Sequence, residues 1–292
     1  MGETGSRRLV RDSAERPLEA PARVTPAGEA SAVSQEAAAA GGRVAIVTGA
    51  AGTIGRAIAH ALAARGFALA LTDADASELA RLGAELARGA AQVLAEPLDL
   101  RDEQAVERFV ASVVERMGGV HACVLAAGLA GPVGPSDRVT DEDLELVFDV
   151  NVHAMFRVLR GVLPVMRRAR EGRIITIASG AGLGGAAYLA PYVASKHAVV
   201  GLTRALALEE ADANIAVNAV CPGLVESPML GRINRELGQI TGTPVDVAGE
   251  RSVPMGRHAD PREVAELVAY LAVDAPLYMT GAALPIDGGL RV

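Results

Sequence analysis

The stretch that decides the fold runs from Arg43 to Asp73 and reads RVAIVTGAAGTIGRAIAHALAARGFALALTD. Val44-Ala45-Ile46-Val47 is a short, unbroken apolar run met at once by a glycine turn, the pattern of a strand buried on both faces. Beyond Thr48 and the turn from Gly49 to Gly55, the alanine-rich residues from Arg56 to Arg65 predict a helix ended by Gly66. Phe67 to Thr72 predicts a second strand, which stops at Asp73. Strand, glycine turn, helix, strand and acid, in that order, is what a dinucleotide site requires. The glycines let the backbone approach a pyrophosphate, the helix N-terminus offers amides to it, and the acid accepts from adenosine ribose hydroxyls.

Outward from this unit the alternation continues. Asp75 to Ala87 predicts a helix and Gln92 to Pro97 a strand. Val106, Phe109, Val110, Val113, Val114 and Met117 recur at helical spacing ahead of an apolar strand from Val120 to Leu125. Thr140 to Arg168 predicts one long helix, apolar at Leu144, Val147, Phe148 and Met155, with Asn151 on that same face. A polar residue on a core-facing stripe needs a partner, and either nearby backbone or a functional role would supply it. Asn214 to Cys221 and Ala282 to Ile286 predict the last strands. Asp260-Pro261-Arg262-Glu263 reads as an N-cap, an N1 proline and a capping-box acid opening a helix to Val273. Strands alternating with helices imply a parallel sheet covered on both faces, a Rossmann-type doubly wound α/β fold, in one domain over residues 43–292.

Composition narrows the function. The 292 residues are 50% hydrophobic, carry a formal charge of -7 and are 3% aromatic with no tryptophan. That balance argues against nucleic-acid binding, which uses basic patches and stacking platforms. No apolar run approaches the roughly 18 residues of a membrane span. Cys123 and Cys221 lie inside apolar strand-like runs and read as inert core thiols of a reducing compartment, with no disulfide. The histidines show no spacing with carboxylates or cysteines that suggests a metal site. Residues 1–42 mix arginines and acids with proline, serine and an alanine run, and read as a disordered N-terminal extension. The segment lacks the apolar core of a signal peptide, and its acids argue against a transit peptide, so a soluble, cytoplasmic protein is expected.

The reactive side chains gather between Arg173 and Gly201. Tyr192 and Lys196 sit four apart in a helix-like segment opened by Pro191, which places them one above the other on one face. Free tyrosine has a pKa of about 10, and a fixed neighbouring cation favours the phenolate, bringing the group towards proton exchange near neutrality. Ser179 follows the apolar run Ile174 to Ala178 and offers a hydroxyl where strand meets loop. The three together form a carbonyl-polarising arrangement.

With these residues in place, the chain resembles the short-chain dehydrogenase/reductase superfamily, in its single-domain branch, from Arg43 to the Asp287-Gly288-Gly289 ending. Thr48-Gly49 to Gly55, with Thr53 and Ile54, matches the cofactor loop, and Asp99-Leu100 the adenine-contacting pair. Asn151, Ser179, Tyr192 and Lys196 match the catalytic tetrad. Pro222-Gly223 with Val225 and Ser227 matches the segment that holds the nicotinamide carboxamide. Two positions depart from the pattern. Thr53 replaces the middle glycine of the loop, so the turn must keep this β-branched residue at negative φ. Leu125-Ala126-Ala127-Gly128 replaces the family's Asn-Asn-Ala-Gly, where the asparagine is chiefly structural.

The resemblance implies an oxidoreductase moving hydride between NAD(H) and a secondary alcohol or ketone of a small or medium organic molecule. Tyr192 would exchange the proton, and Lys196 would lower its pKa and hold the nicotinamide ribose. Ser179 would donate to the substrate oxygen, and Asn151 would hold a water of a proton relay. Asp73 followed by Ala74, with Gly52 in the loop, implies NAD, because the 2′-phosphate of NADP would bring about two negative charges against the carboxylate. The lid, Ser227 to Arg257, would bring Met229, Leu230 and Ile233 opposite Ala186, Tyr188 and Leu189 around an apolar pocket. An alternative is an NADPH-dependent 3-oxoacyl-thioester reductase meeting an acidic carrier through Arg232, Arg235, Arg251 and Arg257; another is a non-catalytic NAD-binding protein. The family also implies a homotetramer formed through the helices Thr140 to Arg168 and Pro191 to Ala211, the second presenting Val199, Leu202 and Leu206 outward.

Overall fold

The computed structural model describes residues 42–89, 92–242 and 253–290. The described residues begin with β1 (Val44–Thr48), α1 (Thr53–Ala64), β2 (Ala68–Thr72), α2 (Ala76–Leu86), β3 (Val93–Ala95), α3 (Glu103–Met117) and β4 (Ala122–Leu125). They continue through α4 (Asp141–Phe148), a π turn (Asp149–His153), α5 (Ala154–Ala169), β5 (Gly172–Ile177) and α6 (Ala190–Glu209). The last elements are β6 (Ile215–Pro222), α7 (Pro228–Thr241), α8 (Pro261–Val273) and β7 (Ala283–Ile286). All seven strands pair in parallel, in the order β3-β2-β1-β4-β5-β6-β7. The chain thus starts in the middle of the sheet, walks out to β3, and crosses back to β4. That reversal opens a crevice at the carboxyl ends of β1 and β4, where ligands of doubly wound sheets bind.

Strand alternation divides the apolar residues between two layers. Val44, Ile46, Ala70, Cys123, Ile174 and Val217 face the layer of α3, α5 and α6. Ala45, Val47, Leu69, Leu71, Val124 and Ile175 face the layer of α1, α2 and α8. Both thiols are buried and unpaired with each other, and burial pushes Cys123 up to about 12, which leaves it inert at neutral pH. Within the second layer, α1 and α8 pack side by side, joined by Arg65 and Glu266 at 2.7 Å. The two helices come from opposite ends of the fold.

Three expectations need correction. The long helix from Thr140 is interrupted: α4, opened by a capping box between Thr140 and Asp143, meets α5 through the π turn. The turn keeps Val147, Asn151 and Met155 inward while Leu144 is left 41% exposed. α1 begins at Thr53 rather than Arg56, with extended Gly52 as its N-cap, so the β-branched residue sits at an ordinary helical position. Val199 and Leu206 are buried in the core and Leu202 packs against it, so α6 presents no outward strip of these three. Apolar side chains that do face outward on this layer include Leu144, Leu146 and Phe156 on α4 and α5, and Leu208 near the end of α6. Apart from Gly42, the expected N-terminal extension lies outside the described residues. Among the described residues, no helix is long and apolar enough to cross a membrane and no side-chain cluster could hold a metal ion.

Candidate active site

The glycine turn is shaped by two close approaches. Gly49 has φ +62, and a Cβ on it would lie 2.7 Å from the Ala127 Cα at the end of β4; a Cβ on Gly55 would lie 2.0 Å from the Gly49 carbonyl oxygen. Only glycine fits either place. Thr48 Oγ1 accepts from the Ala126 and Ala127 amides at 3.1 and 3.3 Å, which holds the end of β4 where the family has its structural asparagine. α1 has no side-chain cap and no acid in its first turn, so its leading amides keep their partial positive charge for an anion. A backbone cradle that no Cβ could enter, facing an uncapped helix N-terminus, fits a dinucleotide pyrophosphate.

At the end of β2, Asp73 accepts from the Ala51 amide at 2.9 Å through Oδ2 and from the Asp75 amide at 3.0 Å through Oδ1. Its carboxylate therefore ties the glycine turn to the strand, and each oxygen retains a second lone pair. Capping of α2 falls to Asp75, which accepts from Ser77 and Glu78. Among the described residues Asp73 makes no ion pair, and the nearby Arg56 is held by Glu78 at 3.2 Å and Glu85 at 3.1 Å. Asp99 is gripped by the Arg101 guanidinium, which holds its carboxyl below the usual range. The Leu100 carbonyl accepts from Arg157 at 3.4 Å.

Ser179, Tyr192 and Lys196 converge where β5 ends and α6 begins. Ser179 Oγ accepts from the Ala181 amide at 3.1 Å, and its hydroxyl also reaches the Tyr192 phenol and lowers its pKa. Burial raises that pKa by more, so Tyr192 lies above the ordinary tyrosine value. Lys196 does not depress it in this structure, contrary to the expectation from the spacing. The ammonium donates to the Ile177 carbonyl at 2.9 Å, its Nζ sits 5.7 Å from the phenol ring centroid, and burial pushes its own pKa down to about 8. Desolvation outweighs the charge pairing that a four-residue spacing suggests.

Asn151 finds its side-chain partners in nearby backbone and Ser195. Its Oδ1 accepts from the Leu129 amide at 2.8 Å, and its two amide hydrogens go to the Leu129 carbonyl and Ser195 Oγ, each at 2.9 Å. The side chain is a strap between elements, with no amide hydrogen left for a water.

Ser179, Tyr192 and Lys196 open onto a cavity of about 220 Å³, which Asn151 does not line. Of the proposed cofactor residues, Ile54, Ala126, Gly128, Pro222, Gly223, Val225 and Ser227 line it together with Tyr192 and Lys196. Gly49, Thr53, Gly55, Asp73, Asp99, Leu100 and Ala127 lie outside it, on the glycine turn and at or beyond the ends of β2, β3 and β4. From the substrate set, Ser179, Ala186 and Met229 line it, joined by Leu189, Leu230 and Ile233. Tyr188 does not: it stands outside at φ +65, its carbonyl accepting from the Gly134 amide at 2.9 Å. Leu224 and Leu290 complete the apolar wall and were not foreseen. Leu290 arrives through the Gly288-Gly289 turn after β7, both glycines at positive φ, and its only sequence signal is that turn.

The family model described as enoyl-(acyl carrier protein) reductase matches residues 49–291. A protein named as a ketoacyl reductase of the monensin polyketide synthase of Streptomyces virginiae is 40% identical, over 85% of this chain and 97% of its own length. Among solved structures, a variant of actinorhodin polyketide ketoreductase with NADPH superposes with a TM-score of 0.81 at 39% identity, covering 85% of this chain and 97% of its own. NAD+-bound xylitol dehydrogenase superposes with a TM-score of 0.82 at 35% identity, covering 85% and 99%.

Proposed function

The chain belongs to the short-chain dehydrogenase/reductase superfamily and is a hydride-transfer oxidoreductase, and from that premise we propose that its coenzyme is NAD(H) and its substrate a secondary alcohol or ketone of a small or medium organic molecule. The observation that carries the coenzyme is Asp73, a carboxylate at the tip of β2 with lone pairs to spare and no basic neighbour paired to it. Ribose hydroxyls are donors that suit such a group, whereas a 2′-phosphate meets like charge. Arg56, the basic residue nearest in sequence, is committed to Glu78 and Glu85. The glycine turn, the α1 N-terminus, Ala126 to Gly128, and Pro222, Gly223, Val225 and Ser227 would hold the dinucleotide. When bound, its nicotinamide supplies or accepts the hydride.

The chain's own residues manage the proton. Tyr192, held protonated by burial, donates to a carbonyl oxygen as it becomes an alkoxide, or accepts from an alcohol in reverse. Ser179, fixed by the Ala181 amide, donates to the same oxygen and stabilises the charge that develops there. Lys196, anchored on Ile177, holds its amine beside the phenol and within reach of a ribose. Leu189, Met229, Leu230 and Ile233 exclude water and favour an apolar substrate body. The test is kcat/KM with both coenzymes over a ketone panel: NADH should exceed NADPH by more than tenfold, about 1.4 kcal/mol. Turnover with neither coenzyme would favour a non-catalytic binding role.

A second reading, an NADPH-dependent 3-oxoacyl-thioester reductase, is favoured by the ketoacyl reductases among the relatives. Against it, two of the lid arginines are spent on acids, Arg232 on Glu236 at 3.1 Å and Arg257 on Glu263 at 2.7 Å, which weakens a basic docking patch. Arg251 lies outside the described residues. A 3-oxoacyl thioester turned over faster with NADPH than simple ketones are with NADH would establish this reading instead. We also propose a cytoplasmic homotetramer, assembled through the outward Leu144, Leu146 and Phe156 of α4 and α5.

A further inference from the structure

Ser195 lies in α6 between Tyr192 and Lys196, is fully buried, and does not line the cavity. Its hydroxyl donates to the Tyr192 main-chain carbonyl at 2.8 Å and accepts from Asn151 Nδ2 at 2.9 Å. A helical serine often bonds back to its own helix as a local matter. Here the same oxygen also joins α6 to the π turn that carries Asn151, and Asn151 in turn clasps both backbone groups of Leu129. A path of hydrogen bonds, buried at Asn151 and Ser195, therefore runs from the loop after β4, through the π turn, to the first turn of α6. π turns within helices recur at functional sites. Gly128, next to Leu129, lines the cavity, and a Cβ on it would lie 3.2 Å from Asn151 Oδ1 and 3.3 Å from Lys196 Nζ. The backbone that this path holds thus passes beside the catalytic lysine with little room for a side chain between them.

We propose that Ser195 is a positioning residue for proton transfer at Tyr192, a buried hydroxyl that passes the hold of Asn151 on to the first turn of α6. The proposal rests on the reading of Tyr192 as the proton donor. Without the hydroxyl, one amide hydrogen of Asn151 is left buried and unpaired. The turn that carries Tyr192 and Lys196 is then free to rotate away from Ser179. A misplacement of about 1 Å costs on the order of 10²-fold in rate.

The test uses the full chain with NADH and ethyl acetoacetate as the probe, comparing the parent with Ser195→Ala, Ser195→Cys, Asn151→Ala, and Ser195→Ala combined with Asn151→Ala. A second readout follows tyrosinate absorbance against pH. The chain has no tryptophan and only four tyrosines, so subtracting the Tyr192→Phe curve isolates Tyr192. Ser195→Ala should lower kcat about 10- to 100-fold and move the Tyr192 titration. Ser195→Cys should recover part of the rate. The double variant should be no slower than Asn151→Ala alone, because members of one path are not additive. A kcat within about twofold of the parent with an unmoved titration, or losses that multiply in the double variant, overturns the proposal. If Ser195→Ala does not fold, Ser195→Cys decides by the same readouts. If the parent turns over no ketone with either coenzyme, the functional reading fails, and the titration alone then decides Ser195.

Discussion

Tyr192 sits above its ordinary pKa in the protein alone, and the direction of that shift has consequences for rate. A phenol kept protonated is ready as an acid for ketone reduction and must lose its proton before it can act as a base in alcohol oxidation. The kcat/KM for oxidation should therefore rise as pH increases from neutral towards and through the tyrosine range, while reduction stays level near neutrality and falls on the alkaline side; initial rates in both directions across pH check the sign. Tyr192→Phe should bind coenzyme and lose about 3 to 5 kcal/mol of transition-state stabilisation, roughly 10²- to 10⁴-fold in kcat. Single-turnover measurements on coenzyme-saturated protein give the number. At the other end of the site, Asp73→Ser with Ala74→Arg should turn the coenzyme preference towards NADP, because it removes the repulsion and supplies a forked partner for the phosphate. Steady-state comparison of the two coenzymes decides it. Ser179, Tyr192 and Lys196 were singled out by type and spacing and Asn151 by the family resemblance, and the structure brings the first three together around one cavity. What each side chain touches was not legible: the lysine's anchor on Ile177 and the asparagine's grip on Leu129 are made by elements far away in sequence.

Elements were legible in proportion to how local their signals are. α8 starts where Asp260, Pro261 and Glu263 announce it, with the full capping box formed, because cap, proline and acid lie within four residues. The π turn carried no such mark, since its one extra residue leaves the apolar spacing on either side almost undisturbed. The start of α1 was missed by three residues because Thr53 and Ile54 look like turn until the extended Gly52 is seen to cap them. The glycine turn itself gives the firmest prediction at this scale. Gly49→Ala must place a Cβ 2.7 Å from Ala127 at a φ that alanine avoids, which alone costs about 1 to 2 kcal/mol. Coenzyme binding should be lost and the melting temperature lowered, as read by coenzyme fluorescence and thermal denaturation, and restoring glycine should return both.

For the whole molecule, the parallel sheet and its two layers followed from the alternation of strands and helices, and much of the cavity wall from the residues Met229, Leu230 and Ile233 with Ala186 and Leu189, whereas Leu290 did not, because it is brought there by the last turn of the chain. Assembly is the open quantity at this scale. Light scattering at micromolar concentration should give the mass of a tetramer, and Leu146→Glu with Phe156→Glu should reduce it, since charges on that outward face cannot be buried against a second copy. A parent protein that scatters as a monomer sinks the assembly. The pairing of α1 with α8, closed by Arg65 and Glu266 201 residues apart, bears on how the protein is made. At about 5 to 20 residues per second, a ribosome needs about 10 to 40 s between the two helices. Throughout that interval the nascent chain holds Ile58 and Leu62 without the cover they have in the native protein, a sticky half-domain waiting on its own C-terminal segment. Truncation or stalled translation before Val273 would therefore leave a species for chaperones rather than a smaller working enzyme.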